Sequence, residues 1–145
     1  MYSHILVPTD GSPLSSTAVD KSLAFAKAVG ARLTVLTVLR PFHVFTVDAN
    51  QLESTRIEYE RDAPQQAEGY LSEAASRANM LNLPCNTLKL WHEHPYQAII
   101  DAAVGEGCDL IAMASHGRRG LAAVVLGSET LKVLTHSKLP VLVYR

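Results

Sequence analysis

Cys108-Asp109-Leu110-Ile111-Ala112-Met113-Ala114 leads into Ser115-His116-Gly117-Arg118-Arg119-Gly120, and six residues later comes Gly127-Ser128. The apolar run is short and is bounded by Gly105, Gly107 and Asp109, which makes it a buried strand rather than a helix. Ser128 then opens a helical stretch, Glu129 to His136, that stops before Pro140. The glycines therefore lie on a strand–loop–helix connection. Glycine lets a ligand approach the backbone closely. A helix start offers unpaired N–H groups and a partial positive charge, which suits phosphate. Arg118 and Arg119 add two cations beside it.

The rest of the chain repeats this alternation. His4-Ile5-Leu6-Val7-Pro8 is a continuous apolar run ended by a proline, as in a central parallel strand. Thr9-Asp10-Gly11-Ser12-Pro13 turns into a helix, with Ser12 as N-cap, Pro13 as first helical residue and Gly30 at the end. Arg32 to Leu39 is a second buried strand. Arg40 to Arg61 shows no apolar period and reads as a long loop with at most a helical turn. Asp62 and Pro64 then start a helix that carries Ala67, Tyr70, Leu71, Ala74, Ala75, Ala78 and Leu81. Asn86 to Trp91 suits a strand nearer the sheet edge, His94-Pro95 starts a third helix, and Pro140-Val141-Leu142-Val143-Tyr144 closes the chain. Strand–helix repetition of this kind predicts one domain, residues 1–145, in the α/β class: a five-stranded parallel doubly wound sheet with helices on both faces. The order 3-2-1-4-5 places a switch point between the first and fourth strands, where ligands of such sheets bind.

Composition narrows the function. The chain has 145 residues, 48% hydrophobic and 19% charged, with a net charge of −1. It has no basic stripe, which argues against a nucleic-acid partner. No apolar run approaches the length of a membrane helix. Met1-Tyr2-Ser3-His4-Ile5 has no signal-peptide pattern, and Cys85 and Cys108 are isolated in apolar contexts. These features fit reduced thiols and a cytoplasmic location.

The C-terminal stretch resembles the signature of the universal stress protein family, specifically its ATP-binding subgroup. That signature is Gly-x-x-Gly, nine residues, then Gly-Ser or Gly-Thr. Gly117 and Gly127-Ser128 match at that spacing, whereas Ala114 stands in place of the first glycine. Pro8-Thr9-Asp10 also matches the family's first loop. The resemblance implies ATP, with Mg²⁺ on the phosphates. It places Asp10 and the main chain of Val38 around the adenosine. Pro8, Thr9, Met113, Ala114, His116, Gly117, Arg118, Gly127, Ser128, Glu129 and Thr130 complete the nucleotide-binding set. It further implies a role in stress response and a homodimer through the C-terminal strand, residues 140–145.

Each of these residues also has a plainer reading. Asp10 serves equally as an Asx turn at a helix start. Ser128 can be an N-cap, Val38 a core residue and His116 an unremarkable loop histidine. Glu129 would carry negative charge close to any phosphate and favours a ligand-free helix start. A side chain at Gly127 is expected to project into the phosphate space. His92-x-His94 lacks a third ligand for zinc. No catalytic nucleophile–base pair is spaced for hydrolysis, since Ser115-His116 are adjacent in a loop. Three functions are thus in play. They are an ATP-binding module, a nucleotide-free dimer acting through protein contacts, and an ATP hydrolase or adenylyl-transfer enzyme, the last disfavoured.

Overall fold

The computed structural model describes residues 1–43, 49–117 and 126–145, with residues 49–51 described by backbone alone. The elements are β1 (His4–Pro8), α1 (Pro13–Val29), β2 (Arg32–Leu39), α2 (Ala49–Met80), β3 (Cys85–Trp91), α3 (Pro95–Gly105), β4 (Leu110–Ala114), α4 (Ser128–His136) and β5 (Val141–Tyr144). The strands form one parallel sheet in the order β3-β2-β1-β4-β5, as the sequence predicts.

Alternation along the strands divides the core in two. Ile5 and Val7 of β1 join Leu33, Val35, Leu110 and Ala112 on the face covered by α1 and α2. Leu6 points the other way, with Leu36, Ile111 and Met113, against Ile99 and Ala103 of α3 and Val133 of α4. A strand buried on both faces has no room for polar alternation, which explains the continuous apolar runs.

α1 follows the predicted caps. Ser12 sits at the N-cap and its Oγ accepts from Ser15 N at 3.3 Å. Gly30 closes the helix at φ 74°, a left-handed conformation that glycine adopts without steric cost.

The predicted loop over residues 40–61 is corrected. α2 begins at Ala49 and runs through Pro64 to Met80, so Asp62 and Pro64 lie inside a helix of 32 residues. Asp62 pairs with Arg61 at 2.8 Å. An apolar period reports which face is buried, not whether a segment is helical. The first turns of α2 are largely exposed, so they carry no period. What signals helix there is composition: Leu52, Glu53, Arg56, Glu58, Glu60 and Arg61 are good helix formers. An Arg56–Glu53 pair at 2.6 Å adds i,i+3 support. Tyr59 fastens this part to the sheet, its ring 5.6 Å from Phe42 and 6.2 Å from Trp91 between centroids.

Among the described residues, no helix is long and apolar enough to cross a membrane.

Candidate functional site

The connections after β1 and β4 leave the sheet toward opposite faces, α1 to one and α4 to the other. A crevice therefore opens at the C-terminal ends of these adjacent strands. It is a cleft of about 410 Å³, within the roughly 300–1,000 Å³ typical of small-molecule sites.

The β1 wall is a network. Pro8 and Thr9 end the strand. Thr9 N donates to Leu36 O at 2.8 Å, and Thr37 Oγ1 donates to Thr9 O at 3.0 Å, tying the ends of β1 and β2 together. Asp10 Oδ1 accepts from Ser12 N at 3.0 Å and Ser15 Oγ at 2.9 Å. The Asx-turn reading of Asp10 is thus correct for one oxygen. The other, Oδ2, lies against Gly117, where an added Cβ would collide with it. A side chain at 117 would displace the Asp10 carboxylate from its place in this network.

The β4 wall carries Met113, Ala114, His116 and Gly117. Ala114 lies in the regular strand, paired in register with Tyr144. Among the described residues Asn82 is the only non-glycine with positive φ, so alanine at 114 is unstrained. Its cost is one methyl on the cleft wall. Its carbonyl accepts from Thr130 Oγ1 at 2.9 Å, which positions the first turn of α4. His116 Nδ1 lies 3.2 Å from Ser115 Oγ. Arg118, with Arg119 and Gly120, lies outside the described residues.

Two expectations about the start of α4 are corrected. The N-cap is Gly127, with φ −72° and ψ 162°, and it makes no side-chain capping bond. Ser128 is the first helical residue, so it is not the cap. Nor does a Cβ at Gly127 point into open cleft. It would lie 3.0 Å from Cα and Cβ of His116, because Gly127 N donates to Ser115 O at 2.6 Å and draws the two segments together. A side chain here would crowd the neighbouring His116.

The third wall includes Leu36 and Val38 of β2 and Ile99 of α3. Sequence reasoning found Val38 and missed Arg40, Tyr59, Pro95 and Ile99, which also line the cleft. Tyr59 lies in the segment misread as loop. Arg40 gives no signal in sequence, since what matters is its reach to Glu129 on α4, at 3.2 Å. Glu129 does not face the cleft as an isolated charge. Oε2 accepts from Tyr96 N at 2.8 Å, and Oε1 lies 3.5 Å from Lys132 Nζ as well.

Chemically, the cleft pairs an apolar wall with a carboxylate, a glycine-lined strand end and a helix start lacking a side-chain cap. It can hold a molecule with a flat apolar part, hydroxyls and an anionic tail. Among the described residues no group of three or more His, Cys, Asp or Glu is placed to bind a metal ion. His92 and His94 bond locally instead, His94 N donating to His92 Nδ1 at 2.9 Å. At the opposite end of the sheet, burial pushes the Cys108 thiol up to about 11, which leaves it protonated and unreactive at neutral pH.

Fold and cleft together define an open parallel α/β protein with a ligand crevice at its switch point. The sequence model of the universal stress protein family matches residues 1–145, and the chain belongs to that family. A universal stress protein of Thermus aquaticus is 31% identical over 145 residues, covering all of both chains. The structure of UspA from Lactobacillus plantarum superposes with a TM-score of 0.87 at 25% identity, covering 99% of this chain and 98% of that one. A universal stress protein solved in complex with cAMP has a TM-score of 0.71 at 26% identity, covering 99% and 97%.

Proposed function

We propose that this protein binds ATP in the cleft and acts as a nucleotide-dependent module in stress response, in the cytoplasm, without turning the nucleotide over. One observation carries the reading. Residues from four separate segments, Asp10, Val38, Met113 with Ala114, His116 and Gly117, and Gly127–Thr130, line a single cleft at the switch point. Adenosine would lie between Asp10 and the main chain of Val38. Phosphates would lie along Ala114–Gly117 and the start of α4, with Arg118 as a further partner. Mg²⁺ would arrive on the phosphates and neutralise part of their charge. That a similar universal stress protein was solved in complex with cAMP supports a nucleotide as the ligand. Calorimetric titration with ATP and Mg²⁺ tests the proposal. Binding heat and a thermal upshift are expected; neither at millimolar ATP overturns it.

We further read residues 1–145 as one domain that dimerises through residues 140–145. β5 is a sheet edge, and unpaired edges associate. Pro140 O and Tyr144 O accept from Ile111 N of β4 and from Ser115 N just beyond it, at 3.0 and 2.7 Å. By the two-residue period Leu142 also faces β4, leaving Val143 to turn its N–H outward. Val143→Pro, rather than Leu142→Pro, therefore removes a donor from the open edge while sparing the sheet. Sedimentation equilibrium should give a dimer for the wild type and monomer for the variant. A monomeric wild type at high micromolar concentration overturns this.

The second reading, a nucleotide-free dimer, draws on the Ala114 methyl in the cleft wall. Chromatography of small molecules released from the denatured purified protein separates the two.

A further inference from the structure

Arg40 connects three elements across the mouth of the cleft. Its carbonyl accepts from Tyr59 Oη of α2 at 2.5 Å. Its guanidinium reaches Glu129 Oε1 of α4 at 3.2 Å. Glu129 in turn accepts from Tyr96 N at the start of α3, at 2.8 Å. Both Arg40 and Glu129 line the cleft. Among the described residues, Arg40 supplies the only guanidinium or ammonium group there.

We propose, on the reading that the cleft takes ATP, that Arg40 is a residue that helps distinguish a polyphosphate from a bare nucleoside. Glu129 holds its guanidinium beside the start of α4, and arriving phosphate takes it over.

The charges require such an exchange. A carboxylate in the first turn of a helix competes with phosphate for the same partial positive charge. Arg40 now neutralises that carboxylate. When Arg40 leaves, Glu129 keeps the Tyr96 N–H and Lys132 Nζ, 3.5 Å away, so its charge stays partnered. The Arg40 backbone stays too, because Tyr59 pins its carbonyl, and the transfer needs only side-chain torsions. The Arg40 side chain is 46% exposed, and ion pairs in such surroundings are weak. A phosphate offers more charge and oxygens that match the guanidinium fork. A nucleoside offers only neutral acceptors in exchange for the Glu129 carboxylate.

The test is calorimetric titration of adenosine and of Mg²⁺-ATP into the wild type, Arg40→Gln, Arg40→Lys and Glu129→Gln. Arg40→Gln should lower ATP affinity about tenfold while adenosine affinity stays within about twofold. Arg40→Lys should recover part of the loss, since it restores charge without the fork. Glu129→Gln keeps an acceptor for Tyr96 N and frees Arg40, so it should raise ATP affinity roughly threefold. The inference is overturned if Arg40→Gln weakens adenosine and ATP by the same factor, or leaves ATP unchanged, or if Glu129→Gln weakens ATP. A wild type that binds neither ligand instead removes the ATP reading on which the inference rests.

Discussion

The starts of α1 and α4 flank the same cleft and are built in opposite ways. α1 is capped by its own chain: Ser12 Oγ accepts from Ser15 N, and Asp10 Oδ1 gathers Ser12 N and Ser15 Oγ. α4 has glycine at the N-cap and no side-chain capping bond. Its position is set instead from outside, by Thr130 Oγ1 on the Ala114 carbonyl and by Gly127 N on Ser115 O. The difference shows two uses of one helical property. Orphan N–H groups at a helix start need acceptors. Where local side chains supply them, the helix end serves stability. Where tertiary contacts position the helix and no side chain of the N-cap residue supplies an acceptor, the helix start is where the proposed phosphate site falls.

The hardest way to break this comparison is Gly127→Val. The added Cβ meets the His116 backbone, so the strand end and the α4 start are pushed apart. Overpacking of this kind costs about 1–3 kcal/mol. Denaturant melts should show that loss, and ATP binding should vanish with it. Full ATP affinity in a destabilised variant would mean that the α4 start is not where phosphate lies.

Next in size is a matched pair. Ser12→Ala removes a real cap and should cost about 0.5–2 kcal/mol of stability, with ATP affinity unchanged. Ser128→Ala removes none, so its melting should stay within about 0.5 kcal/mol of wild type. Any effect at Ser128 should appear in titration with ATP. Equal destabilisation by the two would abolish the distinction between the helix starts.

A pH series sharpens the comparison from the far end of the sheet. His4 is buried, with Nε2 on Thr34 Oγ1 at 2.7 Å and Nδ1 making no well-formed hydrogen bond among the described residues. Burial, then nearby Arg32, holds its pKa below the usual 6.5. The unfolded chain therefore takes up the proton first as pH falls. This contribution is complete above about pH 6.5 and is lost progressively below it. Asp109 adds a second loss in stronger acid. Burial raises its pKa, but donation from His4 N, Ser3 N and Ser3 Oγ outweighs that and lowers it. Its stabilisation is present above the carboxylate range and disappears as the folded-state pKa is crossed. Urea melts at pH 7 and pH 5 should differ for the wild type and less so for His4→Gln. A pH-independent wild type would contradict the buried neutral imidazole.

Much of this could be read along the chain. The apolar runs at 4–8, 32–39 and 110–114 are strands because a sheet covered on both faces admits no polar alternation. Ser12-Pro13 and Gly30 bound α1 because capping is local chemistry, decided within a few residues. The spacing of Gly117 and Gly127-Ser128 marked one strand–loop–helix wall of the cleft, and Pro8-Thr9-Asp10 marked another. The first turns of α2 were hidden because they bury little and so carry no apolar stripe.

What only the tertiary structure decided are relations between distant segments. The Asp10 carboxylate touches Gly117 across 107 positions, and Arg40 meets Glu129 across 89. A side chain at Gly127 would crowd His116, and the α4 cap falls on Gly127 rather than Ser128. Sequence fixes side-chain chemistry and local backbone preference. Which charge faces which, and which helix start keeps its donors, depends on how strands far apart in the chain lie side by side in the sheet.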